Sequence, residues 1–153
     1  MSPSIHSKLS LREPRISVDS ADAFMTLDQI FRRAGCSETT SRLVTEHLID
    51  ASLCGVESHG VMRTLQYVEQ FKSGYMSPTG EARVIKNQNH AWVVDGEGGI
   101  GIPAMHLAYN HGMSIARDSG ISALAIRKDR KSTRLNSSHV RTSSYAVFCL
   151  KKK

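Results

Sequence analysis

Ala51-Ser-Leu-Cys-Gly-Val-Glu-Ser-His-Gly-Val-Met-Arg63 ends one helix, makes a tight turn and opens another. Working back from it, the spacing predicts a helix over Glu38 to Leu53, with Ser37 as its cap, Leu43, Val44, Leu48 and Ala51 as its apolar stripe, and Gly55 as its end. An earlier helix fits Asp22 to Ala34, with Ser20 as N-cap, Phe24, Leu27, Ile30 and Phe31 on one face, and Gly35 just past its end. Working forward, a third helix fits Val61 to Lys72, with Leu65, Val68 and Phe71 inward and Gly74 as the stop.

Beyond Ser77-Pro78-Thr79-Gly80, a turn by composition, the period changes. Ala82–Lys86 and Ala91–Val94 are short and β-branched and read as a hairpin across Asn87–His90. Asp95-Gly96 ends the second strand, Pro103 suits the first position of a helix running to Arg117, Gly120 closes that helix, and Ile121–Ile126 reads as a buried strand. Three helices, two strands, a helix and a strand make an α/β architecture with a helical N-terminal lobe over residues 20–128.

Charge separates the body from its ends. Seven of the 20 basic residues and one of the 14 acidic residues lie from Asp129 onward, which leaves 13 of each before it. The body is neutral and offers no basic cluster to nucleic acid, and no apolar run reaches the length of a membrane span. Cys36, Cys54 and Cys149 form no CxxC and no metal spacing, which points to free thiols in a reducing, cytoplasmic setting. Residues 1–19 lack periodicity and the apolar segment of a secretory signal, and read as a disordered leader, with a mitochondrial presequence as the alternative.

The tail reads differently again. DRKSTRLNSSH (Asp129–His139) and SYAVFCLKKK (Ser144–Lys153) resemble, in order, the two ends of a translated sequencing-library adapter, with Val140–Ser143 over its variable index. Residues 129–153 are therefore expected to be non-native and the gene cut near Lys128; the competing reading is a native basic tail with a short strand, Tyr145–Leu150.

Chemistry concentrates in the opening stretch. Arg63 follows His59 by four residues, so with His59 at the start of the third helix both side chains would project from one end of it. An imidazole gives or takes a proton near neutral pH, a guanidinium holds a carboxylate with two parallel hydrogen bonds, and the Ser58 hydroxyl can orient an oxygen. The set suits a 2-hydroxy or 2-oxo acid, although an isolated Ser-His-Gly is more often only a capped turn.

The pattern Gly55-Val56, Ser58-His59-Gly60-Val61, Arg63, followed by Tyr67 and Gly74, resembles the malate/L-lactate dehydrogenase family of NAD(P)-dependent oxidoreductases, a non-Rossmann fold that includes ureidoglycolate, sulfolactate, diketogulonate and cyclic-imine acid members. The likeness continues through Asp95-Gly96, Gly101, the Ala104–Arg117 helix and the Gly120–Ile126 strand, covering about Ala21 to Lys128. The resemblance implies the first third of an enzyme that moves a hydride between NAD or NADP and a small 2-hydroxy/2-oxo acid. It implies His59 as proton donor, Arg63 as carboxylate binder and Ser58 as an orienting hydroxyl. It further implies a second catalytic histidine after the Ile121–Ile126 strand and cofactor segments beyond it, so this chain is expected to be inactive as it stands. A homodimer is implied for the intact enzyme, with no metal, nucleic acid or membrane.

Gly96-Glu-Gly98-Gly-Ile-Gly101 spells the dinucleotide fingerprint GxGxxG. That motif needs its helix to start within the glycine loop, which would put Pro103 inside the first turns, and Arg127 and Lys128 stand where the ribose-binding acid belongs. The expectation is a tight turn that lets strand and helix pack closely. Two other functions remain open at this point: a Rossmann NADP-binding domain using this loop and Arg127, and a small binding module with a basic nucleic-acid arm. His47, His106 and His111 read as packed or half-exposed histidines, Met105 and Met113 as core fillers, and Trp92 as the anchor of its strand.

Overall fold

Asp19 stands immediately before the first helix. Its Oδ1 accepts the Ala21 and Asp22 N–H groups at 2.8 and 3.3 Å, so Asp19, and not Ser20, caps the first helix. In the computed structural model, which describes residues 16–88, 91–130 and 146–151, that helix (α1) runs Ser20–Arg33 and α2 runs Glu38–Leu53 behind the Ser37 cap. Both expected terminators hold: Gly35 and Gly55 take φ of 102° and 75°. A single 3-10 turn, Glu57–His59, precedes α3 at Arg63–Lys72. The third helix thus begins two residues later than its apolar pattern implied.

The strands β1 (Arg83–Gln88) and β2 (Ala91–Asp95) pair antiparallel, as a hairpin should. Helix α4 (Gly101–Ser119) then carries the chain back so that β3 (Ile121–Arg127) lies parallel to β2. A fourth strand, β4 (Ala146–Lys151), pairs antiparallel with β3, giving the order β1-β2-β3-β4. It coincides with the short strand that the competing reading of the tail placed at Tyr145–Leu150. The leader through residue 15, and the tail at 131–145 and 152–153, lie outside the described residues.

Two apolar clusters hold the body. Leu27, Phe31, Cys36, Val44, Leu48, Tyr67, Met76 and Ile100 form the core of the helical lobe. Val94, Ala104, Ala108, Leu124 and Ile126 seal α4 against the sheet, with Trp92 and Met105 packed at the edge. The small residues at 104, 108, 112 and 116 recur every four positions on α4 and let the helix approach the strands closely. Ser122, buried in β3, donates to the Gly112 carbonyl at 2.8 Å and ties the two layers.

Three expectations need correction. Leu65 is 74% exposed, because α3 turns Thr64 and Tyr67 inward instead; the Tyr67 ring meets Phe31 with centroids 6.3 Å apart. Strand β3 is buried on one face only, through Ser122, Leu124 and Ile126, while Ile121 is exposed. Helix α4 starts at Gly101, so Pro103 is its third residue; the first turn has no intrahelical use for that N–H, and the ring is accommodated there.

Candidate functional site

The turn between α2 and α3 is held from below by Ser52, on the last turn of α2. Its hydroxyl accepts the Val61 N–H at 3.0 Å. Gly60 is buried directly over it, and a Cβ at that position would collide with the Ser52 hydroxyl and lie 3.1 and 3.2 Å from Ser52 Cβ and Cα. Only a glycine lets the two helix ends close this tightly. The backbone finishes the turn: Val56 N–H donates to Ala51 O at 2.8 Å, His59 to Val56 at 2.9 Å, Gly60 to Glu57 at 3.0 Å and Arg63 to Gly60 at 2.9 Å.

On this frame the three expected residues come together, by a different route from the one their spacing implied. His59 ends the 3-10 turn and does not start α3; Arg63 is the first residue of α3. The Ser58 hydroxyl and His59 Nδ1 lie 2.9 Å apart. The half-buried Arg63 side chain folds back, and its Nε donates to the Ser58 carbonyl at 2.7 Å. Nη1 donates to Gln66 Oε1 at 2.5 Å, one turn along α3. Neither Ser52 nor Gln66 announced itself in the sequence, since a polar residue on a helix reads as solvent-facing until its partner is known.

Tyr67, part of the same motif, belongs to the core. Burial pushes its hydroxyl up from the ordinary value of 10.0, against the opposing pull of the nearby Arg63 charge. Around the site, Leu53, Met62 and Leu65 are exposed, while His59 and Arg63 are half-buried. No cluster of three or more metal-ligating side chains occurs among the described residues. No described helix is long and apolar enough to cross a membrane.

The glycine loop does not fit a cofactor pyrophosphate. Its helix starts where the fingerprint requires, contrary to expectation, but the amides of its four glycines are spent: Gly96 N–H donates to Arg127 O and Gly98 to Lys128 O, both at 2.8 Å, Gly99 to Gly96 O at 2.8 Å and Gly101 to Arg130 O at 3.1 Å. Anion cradling needs those N–H groups pointing outward. The glycines serve backbone approach: a Cβ on Gly96 would lie 2.9 Å from Asp129 Cα, and one on Gly99 would strike the Gly80 carbonyl. Arg127 is likewise committed, its Nε donating at 2.9 Å to Asp95, whose side chain is 2% exposed. Burial would raise the Asp95 carboxyl, but the Glu97 N–H and the Arg127 and Lys128 side chains outweigh it and hold the carboxyl below the usual 3.8. The tight-turn reading stands, and the Rossmann reading loses both its loop and its arginine.

Of the remaining candidates Trp92 and His111 pack together, while His47 is exposed and not packed as expected. Trp92 stacks edge-on against His111 with centroids 4.2 Å apart, and His106 lies within hydrogen-bond distance of Asn110.

A family model described as malate/L-lactate dehydrogenase matches residues 16–142. The chain belongs to this family. It is 33% identical over 100 residues to hydroxycarboxylate dehydrogenase B of Escherichia coli O157:H7, covering 65% of this chain and 28% of that protein. It is 29% identical over 133 residues to a malate dehydrogenase of Pyrococcus horikoshii, covering 87% of this chain and 35% of the relative. The solved structure of malate dehydrogenase from Pyrococcus horikoshii OT3 superposes with a TM-score of 0.70 at 29% identity, over 75% of this chain and 33% of that one. The chain therefore spans about a third of the length of the malate/L-lactate dehydrogenase family members it matches, and the shared fold is their mixed helix-and-strand architecture.

Proposed function

We propose that this chain carries the acid-handling part of an NAD(P)-dependent 2-hydroxy acid oxidoreductase: Arg63 holds the substrate carboxylate, and His59 exchanges a proton with the oxygen on C2. The observation that carries this reading is the Ser58–His59–Arg63 arrangement, in which one carbonyl and one hydroxyl of Ser58 tie down both functional side chains. When the Ser58 O–H donates to Nδ1, the imidazole proton sits on Nε2, the ring atom to which this reading assigns the exchange with the substrate oxygen. The guanidinium spends two of its five N–H donors on Ser58 and Gln66, leaving three for a carboxylate.

The hydride belongs to the nicotinamide cofactor, NAD or NADP, whose pyrophosphate the glycine loop does not fit; this chain's part is to bind the acid and manage the proton. The relatives named as malate, sulfolactate and hydroxycarboxylate dehydrogenases support a small hydroxy or oxo acid as substrate. The exposed apolar side chains of Leu53, Met62 and Leu65 around the site support its completion by further protein, which would also exclude water. A homodimer of the intact enzyme and a cytoplasmic location belong to the same proposal.

The test is direct. Oxamate or pyruvate titrated into the 153-residue chain is expected to shift Arg63 and His59 resonances, with the response lost in Arg63→Ala. The same chain is expected to show no NAD(P)H oxidation with pyruvate or oxaloacetate. Carboxylate binding indifferent to Arg63→Ala would refute the assignment. Clear turnover would refute the partial character of the site.

A further inference from the structure

We propose that Gln66 is a positioning residue: with the Ser58 carbonyl it fixes the plane of the Arg63 guanidinium, so that the Nη1–Nη2 edge is the one presented to a carboxylate. This rests on the reading of Arg63 as the carboxylate binder.

The argument follows from which donors are taken. A guanidinium can grip a carboxylate side-on, through Nε–H and Nη2–H, or end-on, through Nη1–H and Nη2–H. Nε–H is committed to the Ser58 carbonyl at 2.7 Å, which closes the side-on fork. The grip that remains spans Nη1 and Nη2, and Nη1 is anchored to Gln66 Oε1 at 2.5 Å. Arginine ends a long, rotatable side chain, so an unanchored fork must be ordered by each arriving ligand. Two contacts at different nitrogens of one rigid plane remove that need. The geometry is local to α3: Gln66 follows Arg63 by three residues, so both side chains lie on the same helical face, and both are half-buried. Ser58 acts at both ends of the site, through its carbonyl on Arg63 and its hydroxyl on His59, so locking the guanidinium also sets its register to the imidazole.

The test uses the 153-residue chain and the variants Gln66→Met, Gln66→Glu and Arg63→Lys. Gln66→Met keeps length and helix propensity and removes the acceptor; circular dichroism and thermal melting report whether the fold is kept. The readout is the Arg63 Nε–Hε NMR cross-peak, identified by its loss in Arg63→Lys, with and without pyruvate. In the unmodified chain the ligand-free cross-peak is expected to be sharp and slowly exchanging. In Gln66→Met it should broaden, and the pyruvate dissociation constant should rise roughly three- to tenfold, the scale of ordering one long side chain on binding. Gln66→Glu restores the acceptor and should restore the sharp cross-peak, while its own charge weakens pyruvate binding. An unchanged cross-peak and unchanged affinity in Gln66→Met would overturn the positioning role and leave Arg63 as the binder. Pyruvate affinity unaffected by Arg63→Lys, or no pyruvate-dependent shift at Arg63 in the unmodified chain, would instead overturn the reading of the site itself.

Discussion

Replacing Gly60 by alanine tests whether the α2–α3 turn is held by its contact with Ser52. The backbone at Gly60, φ −90° and ψ −152°, is extended and needs no left-handed freedom, so the cost must be steric. The new methyl meets the Ser52 hydroxyl first and would still lie 3.1 and 3.2 Å from Ser52 Cβ and Cα after that hydroxyl was gone. Overpacking against a neighbour that cannot fully retreat costs about 2 kcal/mol, after the smaller gain from a stiffer unfolded chain. Ser52→Ala removes the acceptor of the Val61 N–H and costs ~1 kcal/mol. Independent effects would sum to ~3 kcal/mol, but Ser52→Ala removes the hydroxyl that the Gly60→Ala methyl strikes, so the double variant should lose only ~2 kcal/mol, a coupling of ~1 kcal/mol. Urea unfolding of the four proteins, followed by far-ultraviolet circular dichroism, measures the cycle. Additivity within about 0.5 kcal/mol would show that Ser52 and Gly60 do not share this contact, and the account of the turn would fail.

Two further outcomes follow from the same structure. Asp95→Asn should destabilise by about 1–3 kcal/mol at pH 7, because a buried carboxylate loses its charge-assisted bonds to Arg127 and Lys128. Since the folded carboxyl titrates below its ordinary 3.8, the stabilisation is full above that value and lost as pH falls through the folded one; melting curves of the two proteins should therefore converge in acid, and a constant gap would contradict the linkage. Iodoacetamide followed by peptide mapping should modify exposed Cys54 well before Cys36, which is buried and whose thiol is pushed up to about 11. Equal rates in the native protein would contradict the placement of Cys36 in the helical core.

The fold was legible where local chemistry was unambiguous. Ser37 and Gly55 bracket α2 at the residues the sequence marks, because an oxygen-bearing cap and a left-handed stop leave little choice. At α1 two capping residues stand side by side, and only the hydrogen bonds of Asp19 decide between them. On α3, Leu65-Val68 and Thr64-Tyr67 both repeat at helical spacing; hydrophobicity favours the first pair, while the contact of Tyr67 with Phe31, far away in sequence, selects the second. The same limit applies at the site. Ser58, His59 and Arg63 are marked by residue type and spacing, but the spacing implied one continuous helix, and the 3-10 turn that separates them depends on Gly60 finding Ser52. The glycine loop shows the converse. Its spelling and its helix start both satisfy the fingerprint, and only the carbonyls of residues 127–130, brought back by β3, disclose that its amides are spoken for.

Those same amide contacts have a mechanical consequence. Ile100 packs into the helical cluster, and Ala104, one turn further on, packs under the sheet, so the start of α4 is a rivet through both layers. The strap of residues 127–130 fastens the loop immediately ahead of that rivet, and Gly80 braces it from the other side. Neither layer can slip against the other at the start of α4 without breaking that fastening, so the helical lobe and the sheet are pinned together there.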